Sequence, residues 1–249
     1  MLSRDIIMAQ LRRQARWLSE SRRWLIQEVM GKEGSIKTAL DVGCGPGFIQ
    51  KELRETHGIH AIGIDKDREM LRSAREMGLD ILQANGHDIP FKDSCFDMVY
   101  CTFTLMWVKD PVVALKEMRR VSKKWVVCFA EPDYGARVDY PEALSDLAGA
   151  IADSIERDNG DPIIGRKLRA YFSQAGMEAK IGVFDSIWSI ERLESEFRDE
   201  WDFLRASTSM SSNEMDKYES VAKEAIENKS RMQFTPIFYA LAKVSDLTG

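Results

Sequence analysis

The 249-residue chain is poor in the residues that soft metals require, with four cysteines and three histidines. Cys44, Cys95, Cys101 and Cys128 form no C-x-x-C pair, and His57, His60 and His87 are scattered, so the spacing offers no zinc or iron–sulfur motif. Thiols spaced in this way match a reducing cytoplasm. Long apolar runs are absent too; none approaches the roughly 18 residues that a membrane-spanning helix needs. Positive charge is in deficit: 35 Lys and Arg stand against 40 Asp and Glu, a net of −5, which argues against a nucleic acid as substrate. Pro141 to Ser230 deepens that deficit, with 19 acidic residues against 11 basic ones, a net of −8.

Basic residues gather near the N-terminus, at Arg4, Arg12, Arg13, Arg16, Arg22 and Arg23. There Ile7, Leu11, Leu18, Leu25 and Val29 recur near helical spacing, and Asp5, Glu20 and Glu28 interrupt the charge. This pattern predicts folded helices over 1–37 rather than a transit peptide or a nucleic-acid arm. Apolar residues are plentiful at 44%, enough for the core of one full domain with an added subdomain.

The densest signal is Ala39-Leu40-Asp41-Val42-Gly43-Cys44-Gly45-Pro46-Gly47-Phe48, an apolar strand that breaks into a glycine loop ahead of a helix starting near Ile49. Glycines there permit a tight turn and a close backbone approach to a ligand, and the helix presents free N–H groups. The spacing is G-x-G-x-G, with Phe48 where the dinucleotide fingerprint puts its third glycine, which counts against a nicotinamide-dependent oxidoreductase. A carboxylate at Asp41 would repel a diphosphate and suits an ammonium group. A second apolar strand, Ala61-Ile62-Gly63-Ile64-Asp65, ends in an acid 24 residues later (65 minus 41), where a carboxylate can accept both hydroxyls of a ribose.

Strand and helix signals keep alternating. Lys109 to Ser122 reads as a helix and Trp125 to Ala130 as a buried strand, giving a doubly wound parallel sheet. The loop Glu131 to Pro141 leaves the carboxyl end of that strand and is dense in acids and tyrosines, so Glu131, Asp133, Tyr134 and Tyr140 are candidates to touch a substrate. Helices are expected over Pro141–Arg157 and Pro162–Ala175, a strand within Met177–Ile190, two helices within Glu191–Ser230, and a last strand over Phe234–Val244. Leu193, Phe197, Trp201 and Leu204 form one apolar face, and Met215, Tyr218, Val221, Ala222, Ala225 and Ile226 another. The two helices are expected to pair over the pocket, where Trp188, Trp201, Phe203 and Met210 would make it dry.

Leu40-Asp41-Val42-Gly43-Cys44-Gly45-Pro46-Gly47 resembles the first motif of the class I S-adenosylmethionine-dependent methyltransferases. The likeness continues for about 100 residues: Gln83-Ala84-Asn85-Gly86-His87-Asp88-Ile89-Pro90-Phe91 is similar to the third motif, and Cys95-Phe96-Asp97-Met98-Val99-Tyr100-Cys101 to the fourth strand. The resemblance implies a Rossmann-like α/β fold with a seven-stranded, mostly parallel sheet, a final antiparallel strand and a helical cap. It divides the chain into N-terminal cofactor-covering helices (1–37), a cofactor-binding core (38–140), and the last strands with helical substrate-lid insertions (141–249, the insertions near 141–175 and 191–230). In the family such N-terminal helices cover the cofactor, which brings Arg16 and Trp17 into consideration, with plain packing as the simpler role.

Carried over position by position, the cofactor S-adenosylmethionine (SAM), which becomes S-adenosylhomocysteine (SAH), would meet Asp41, Gly43, Cys44, Gly45, Gly47, Asp65, Lys66, Met70, Asn85, Gly86, His87, Cys101 and Thr102. Asp65 matches the ribose-binding acid and Met70 the apolar residue on adenine. Thr102, Phe103 and Leu105 fall on the loop that borders the methionine part. Asn85 departs from the family, standing where an aspartate accepts the adenine amino proton; its side-chain carbonyl can accept the same bond.

The small-molecule branch, which methylates quinones and other metabolites, is the best match, with transfer by in-line displacement from the sulfonium. A proton-bearing nucleophile would need a base, for which His87, Glu131, Asp133 and Tyr134 are candidates. DNA amino-methyltransferases carry an Asn/Asp-Pro-Pro-aromatic motif after the fourth strand, where this chain reads Cys101-Thr102-Phe103-Thr104, so DNA is not an expected partner. Two alternatives remain open: a catalytically silent SAM-binding regulator, and a methyltransferase acting on protein or RNA.

Overall fold

Strands buried on both faces and joined by helical crossovers set the architecture. The computed structural model describes residues 3–185 and 187–244. Two helices come first, α1 (Arg4–Trp17) and α2 (Ser19–Glu33). The central units follow as β1 (Thr38–Val42), α3 (Phe48–His57), β2 (His60–Asp65), α4 (Arg68–Glu76), β3 (Ile81–Gln83), β4 (Phe96–Thr102), α5 (Pro111–Val121) and β5 (Ser122–Pro132). The second half holds β6 (Val138–Tyr140), α6 (Asp146–Arg157), α7 (Ile164–Gln174), β7 (Ala179–Val183), α8 (Ile190–Ser207), α9 (Ser212–Glu227), β8 (Met232–Phe234) and β9 (Ile237–Lys243).

The main sheet has seven strands in the order β3-β2-β1-β4-β5-β9-β7, and β9 runs antiparallel to both of its neighbours. Side chains alternate across it with period two. Leu40, Val99 and Val126 enter the core on one face with α5 and α7, whereas Ala39, Met98 and Val127 enter the other core with α2 and α3. Chain order reverses between β1 and β4, so the helices diverge there and leave a crevice at the carboxyl ends of the strands. This is the expected seven-stranded fold, with its final strand antiparallel.

Local chemistry explains the helix starts. Asp67 caps α4 by accepting from Glu69 N and Met70 N, Asp110 caps α5 with Pro111 in the first turn, and Ser211 with Glu214 forms a capping box at α9. Gly47, left-handed at φ +79°, precedes α3 with no side-chain cap, so backbone N–H groups at that helix start remain open.

Three features depart from the sequence pattern. The N-terminal helical stretch divides at Leu18. β5 runs on through Pro132 and takes Glu131 into the sheet, where it was expected in a loop. The last segment is two strands, because Pro236 has no N–H to give to a ladder; the first of them, β8, pairs with β6 as a separate ribbon. No helix among the described residues is long and apolar enough to cross a membrane.

Candidate functional site

The crevice is a large open cleft over the carboxyl ends of β1, β2 and β4, roofed by Ile7, Leu11, Gln14 and Ala15 of α1. Gly43, Gly45 and Gly47 of the loop beneath it all hold left-handed backbone, with φ of +72°, +51° and +79°, and the first two line the cleft. Their surroundings differ. A Cβ on Gly43 would lie 2.4 Å from Thr104 Cγ2 and one on Gly47 2.4 Å from Leu79 Cδ1, whereas at Gly45 the nearest atom is Leu11 Cδ1 at 4.0 Å. Gly43 and Gly47 therefore serve the packing of the loop, and Gly45 leaves the cleft open.

Gly45 N–H donates to Asp65 Oδ2 at 2.9 Å, and Asp67 N–H donates to Asp65 Oδ1 at 2.8 Å. These bonds fix the carboxylate at the end of β2 and leave lone pairs for a diol. Asp41 is buried at 2% exposure, and burial raises its carboxyl to a pKa of about 7, with the Asp65 charge adding to the rise. Tyr100 and Arg22 act in the opposite direction. Even so, Asp41 Oδ2 and Tyr100 Oη lack a hydrogen-bond partner, as does the buried Thr102 Oγ1. Asp41 and Thr102 both line the cleft. A buried acceptor without a donor is costly, so this end is suited to an ammonium group.

The opposite end is walled by Ile64, Met70, Ala84, Asn85, Gly86 and His87. Asn85 Oδ1 accepts from His87 N at 3.0 Å and lies 3.0 Å from His87 Nδ1, while Asp110 N donates to His87 Nε2 at 3.2 Å. With His87 Nε2 also 3.2 Å from Asp110 O, the ring is a strut between the β3 loop and α5.

A second chamber of about 790 Å³, counted to its open mouth, adjoins the cleft and shares Gln14 and Phe103 with it. α1 and α8 enclose it. Arg13, 3% exposed, bridges them through Glu196 at 2.8 Å and Glu200 at 2.9 Å. Phe103 stands at the junction with φ +49°, a left-handed conformation uncommon for a bulky residue, and its N–H is held by Ala130 O at 2.8 Å.

The comparisons with known proteins agree with this geometry. Residues 40–129 match the model of a family described as a methyltransferase domain. The chain is 31% identical over 151 residues to an uncharacterized methyltransferase of Schizosaccharomyces pombe, covering 53% of each protein. It is 30% identical over 185 residues to the demethylmenaquinone methyltransferase of Renibacterium salmoninarum, covering 69% of this chain and 75% of that one. The chain belongs to the S-adenosylmethionine-dependent methyltransferases. Its fold is also that of a SAM-dependent methyltransferase from Archaeoglobus fulgidus, at a TM-score of 0.56 and 19% identity, covering 92% of this chain and 94% of that one. The chain spans about half the length of several curated relatives that it matches. SAM is the methyl donor of this family, and the orphaned Asp41 and Thr102 oxygens, the open Gly45 and the fixed Asp65 fit its ammonium, backbone approach and ribose.

Most of the residues expected on the cofactor come together in the cleft: Asp41, Gly43, Cys44, Gly45, Asp65, Lys66, Met70, Asn85, Gly86, His87 and Thr102 all line it. Gly47 and Cys101 do not. Cys101 is fully buried in the core beneath the floor, because alternation along β4 sends it and Thr102 to opposite faces. Cys44 is nearly buried, and burial pushes its thiol far above the usual range, which leaves it neutral.

The four candidate bases separate. His87 lines the cleft and not the second chamber. Glu131 is fully buried, with a pKa raised by burial to about 8, and accepts from Thr104 N at 2.8 Å, Leu105 N at 2.7 Å and Met106 N at 3.3 Å. It caps the turn after β4. Asp133 is buried against Arg166, at 2.5 and 2.7 Å. Tyr134 alone of the four lines the second chamber, and burial pushes its hydroxyl up to about 12.

The sheet also brings Cys101, Cys128 and Glu131 together, their ligand atoms within 4.8 Å of one another. With Glu131 on three backbone N–H groups and burial keeping the Cys128 thiol protonated, this trio is occupied by the fold's own contacts. Trp17 faces the second chamber, whereas Arg16 pairs with Glu196 at 2.5 Å and faces solvent. Sequence reasoning missed the roofing residues of α1 and the Gln14–Phe103 junction, since the contact between α1 and the rest of the chain is long-range.

Proposed function

We propose that the protein transfers the methyl group of SAM to a small-molecule acceptor held in the second chamber. The observation that carries this reading is the meeting of the two spaces at Gln14 and Phe103, between the orphaned Asp41 and Thr102 oxygens on one side and the second chamber on the other. A small acceptor also agrees with the demethylmenaquinone methyltransferase among the relatives and with the acidic overall charge.

When bound, SAM supplies an electrophilic methyl on a sulfonium. Asp41 and Thr102 would hold its ammonium, Asp65 would take its ribose hydroxyls, and Ile64 and Met70 would flank its adenine. Gln14 and Phe103 frame the opening through which the acceptor meets the methyl, and α1 with α8 excludes water from it. Fixing two reactants in line contributes on the order of 7 to 11 kcal/mol to catalysis, so positioning is the main device. Neutralisation of the sulfonium charge gains further from a dry surround. Tyr134, which keeps its proton near neutral pH, orients the acceptor as a hydrogen-bond donor. Residues 1–37 act as the cover of the cofactor and α8 as the lid over the acceptor, whereas α9, expected to share that lid, backs α8 and lines neither space.

A silent SAM-binding protein is the second reading, favoured by the engagement of Asn85 Oδ1 with His87, which occupies the carbonyl expected to accept an adenine amino proton. Incubation with methyl-labelled SAM and fractions of small metabolites, protein and RNA decides between the readings. Label in the small-molecule fraction, with SAH released in step, is expected. Label in protein or RNA, or none with SAM bound, overturns the proposal.

A further inference from the structure

The interior between α1 and α8 is basic although the surface of this half is acidic. Arg13, Arg137 and Arg231 have side chains no more than 4% exposed, and they share Glu196, Glu200 and Asp139 as partners. Arg192, half-buried on the first turn of α8, adds a fourth cation against three anions. Its guanidinium lies 4.1 Å from the Trp188 ring centroid and 5.4 Å from that of Trp17. Among the described residues it has no hydrogen-bond acceptor and no ion pair within bonding distance, although Glu196 and Glu200 act on it through space. Asp185 is at the exposed edge of the chamber, holding the Ile187 N–H at 3.3 Å.

A second donor beside it is also unused: Trp17 Nε1–H is buried and has no acceptor. Trp17, Trp188 and Arg192 all line the second chamber, whose remaining wall is mixed, with Phe103, Ile151 and Phe203 beside Gln14, Arg137 and Glu200. Two indoles stacked on a guanidinium strip water from it and fix its plane while leaving its N–H edge available. A planar cation and an orphan indole N–H side by side in one chamber match one kind of ligand group, an oxyanion.

We propose that the acceptor carries a carboxylate or phosphate, with the oxyanion on Arg192 and the Trp17 Nε1–H. This rests on the reading of the second chamber as the acceptor's seat. Carboxylate and phosphate share the bidentate geometry that a guanidinium edge accepts.

Calorimetric titration with benzoate, phenyl phosphate and the neutral benzamide, each with and without SAH, tests it. Either anion, or both, is expected to bind the protein with an affinity that falls with added salt, benzamide much more weakly, and whichever anion wins identifies the head group. Arg192→Gln is expected to weaken the anion about tenfold or more while SAH binding stays unchanged, and Arg192→Lys to fall between, since an ammonium loses the fork. Benzamide binding as tightly as benzoate, no anion binding to a protein that binds SAH, or anion binding undiminished in Arg192→Gln overturns the proposal. If Arg192→Gln does not fold, the acid-against-amide comparison and Arg192→Lys decide. Absence of SAH binding to the unaltered protein instead removes the methyltransferase reading, and the two failures are thereby distinguished.

Discussion

Replacing Asp41 by asparagine separates folding from binding. The carboxyl titrates at 3.8 in an unfolded chain and at about 7 in the fold, chiefly because burial disfavours its charge. A group whose pKa is raised on folding contributes its full stability below the unfolded value and loses it as pH rises. Between 3.8 and about 7 the loss runs at about 1.4 kcal/mol per pH unit, on the order of 4 kcal/mol in all. Asn keeps the size and cannot ionise. Near pH 8 the ligand-free Asp41→Asn protein is expected to be more stable than the parent by about 1 to 4 kcal/mol, a rise of several degrees in Tm. At about pH 3 or below, where the parent carboxyl is mostly neutral in the folded and unfolded chain alike, this gain disappears. Binding moves the other way. An ammonium beside Asp41 favours its ionised form, so the parent should bind SAH more tightly as pH rises from about 6 to 8 and should release a proton on binding. Asp41→Asn should lose that pH dependence and bind about tenfold or more weakly near pH 8. Scanning calorimetry at the two pH values and titration in buffers of different ionisation enthalpy measure both effects. A variant less stable than the parent near pH 8, or one that keeps the parent's affinity and its pH dependence, refutes the assignment.

Other substitutions address separate parts of the account. Gly43→Ala places a Cβ 2.4 Å from Thr104 Cγ2 at φ +72° and is expected to cost about 2 kcal/mol or more in urea unfolding. Gly45→Ala meets open space and should cost only about 1 kcal/mol of backbone strain while obstructing the cleft; equal melting losses for the two would contradict the division of roles. Glu131→Ala leaves the N–H groups of Thr104, Leu105 and Met106 without their acceptor and is expected to destabilise by about 2 to 4 kcal/mol, so an unchanged unfolding midpoint rules out the capping role. Tyr134→Phe should leave SAH affinity intact and lower turnover; a parallel fall in SAH affinity would move Tyr134 from the acceptor side to the cofactor side.

The lining of the cleft proposed for the cofactor was legible because its residues are consecutive in the chain. Asp41, the glycine loop and Asp65 follow from one strand, one turn and one crossover, and each strand end falls where the sheet opens. The acceptor half depends on pairs far apart in the chain. Arg13 meets Glu196 across 183 residues, and Glu131 reaches back to Thr104, contacts that leave no local periodicity. Glu131 in particular was read as a loop residue because Pro132 ends the apolar run, yet pairing with Phe238 on β9 carries the strand past it. Cys101 is a different case: the period-two alternation of β4 was visible in the sequence and would have removed it from the cleft once Thr102 was placed there.

The central claim, that the cleft holds SAM through Asp41, Gly45 and Asp65, is tested most directly by calorimetric titration of the purified protein with SAM, SAH and NADH, alongside the Asp65→Ala variant. The account predicts binding of SAM and SAH, none of NADH, and a loss in Asp65→Ala of about 1.5 to 3 kcal/mol from the missing charged acceptor. Binding of NADH without SAH, or SAH affinity unchanged in a folded Asp65→Ala protein, would contradict it.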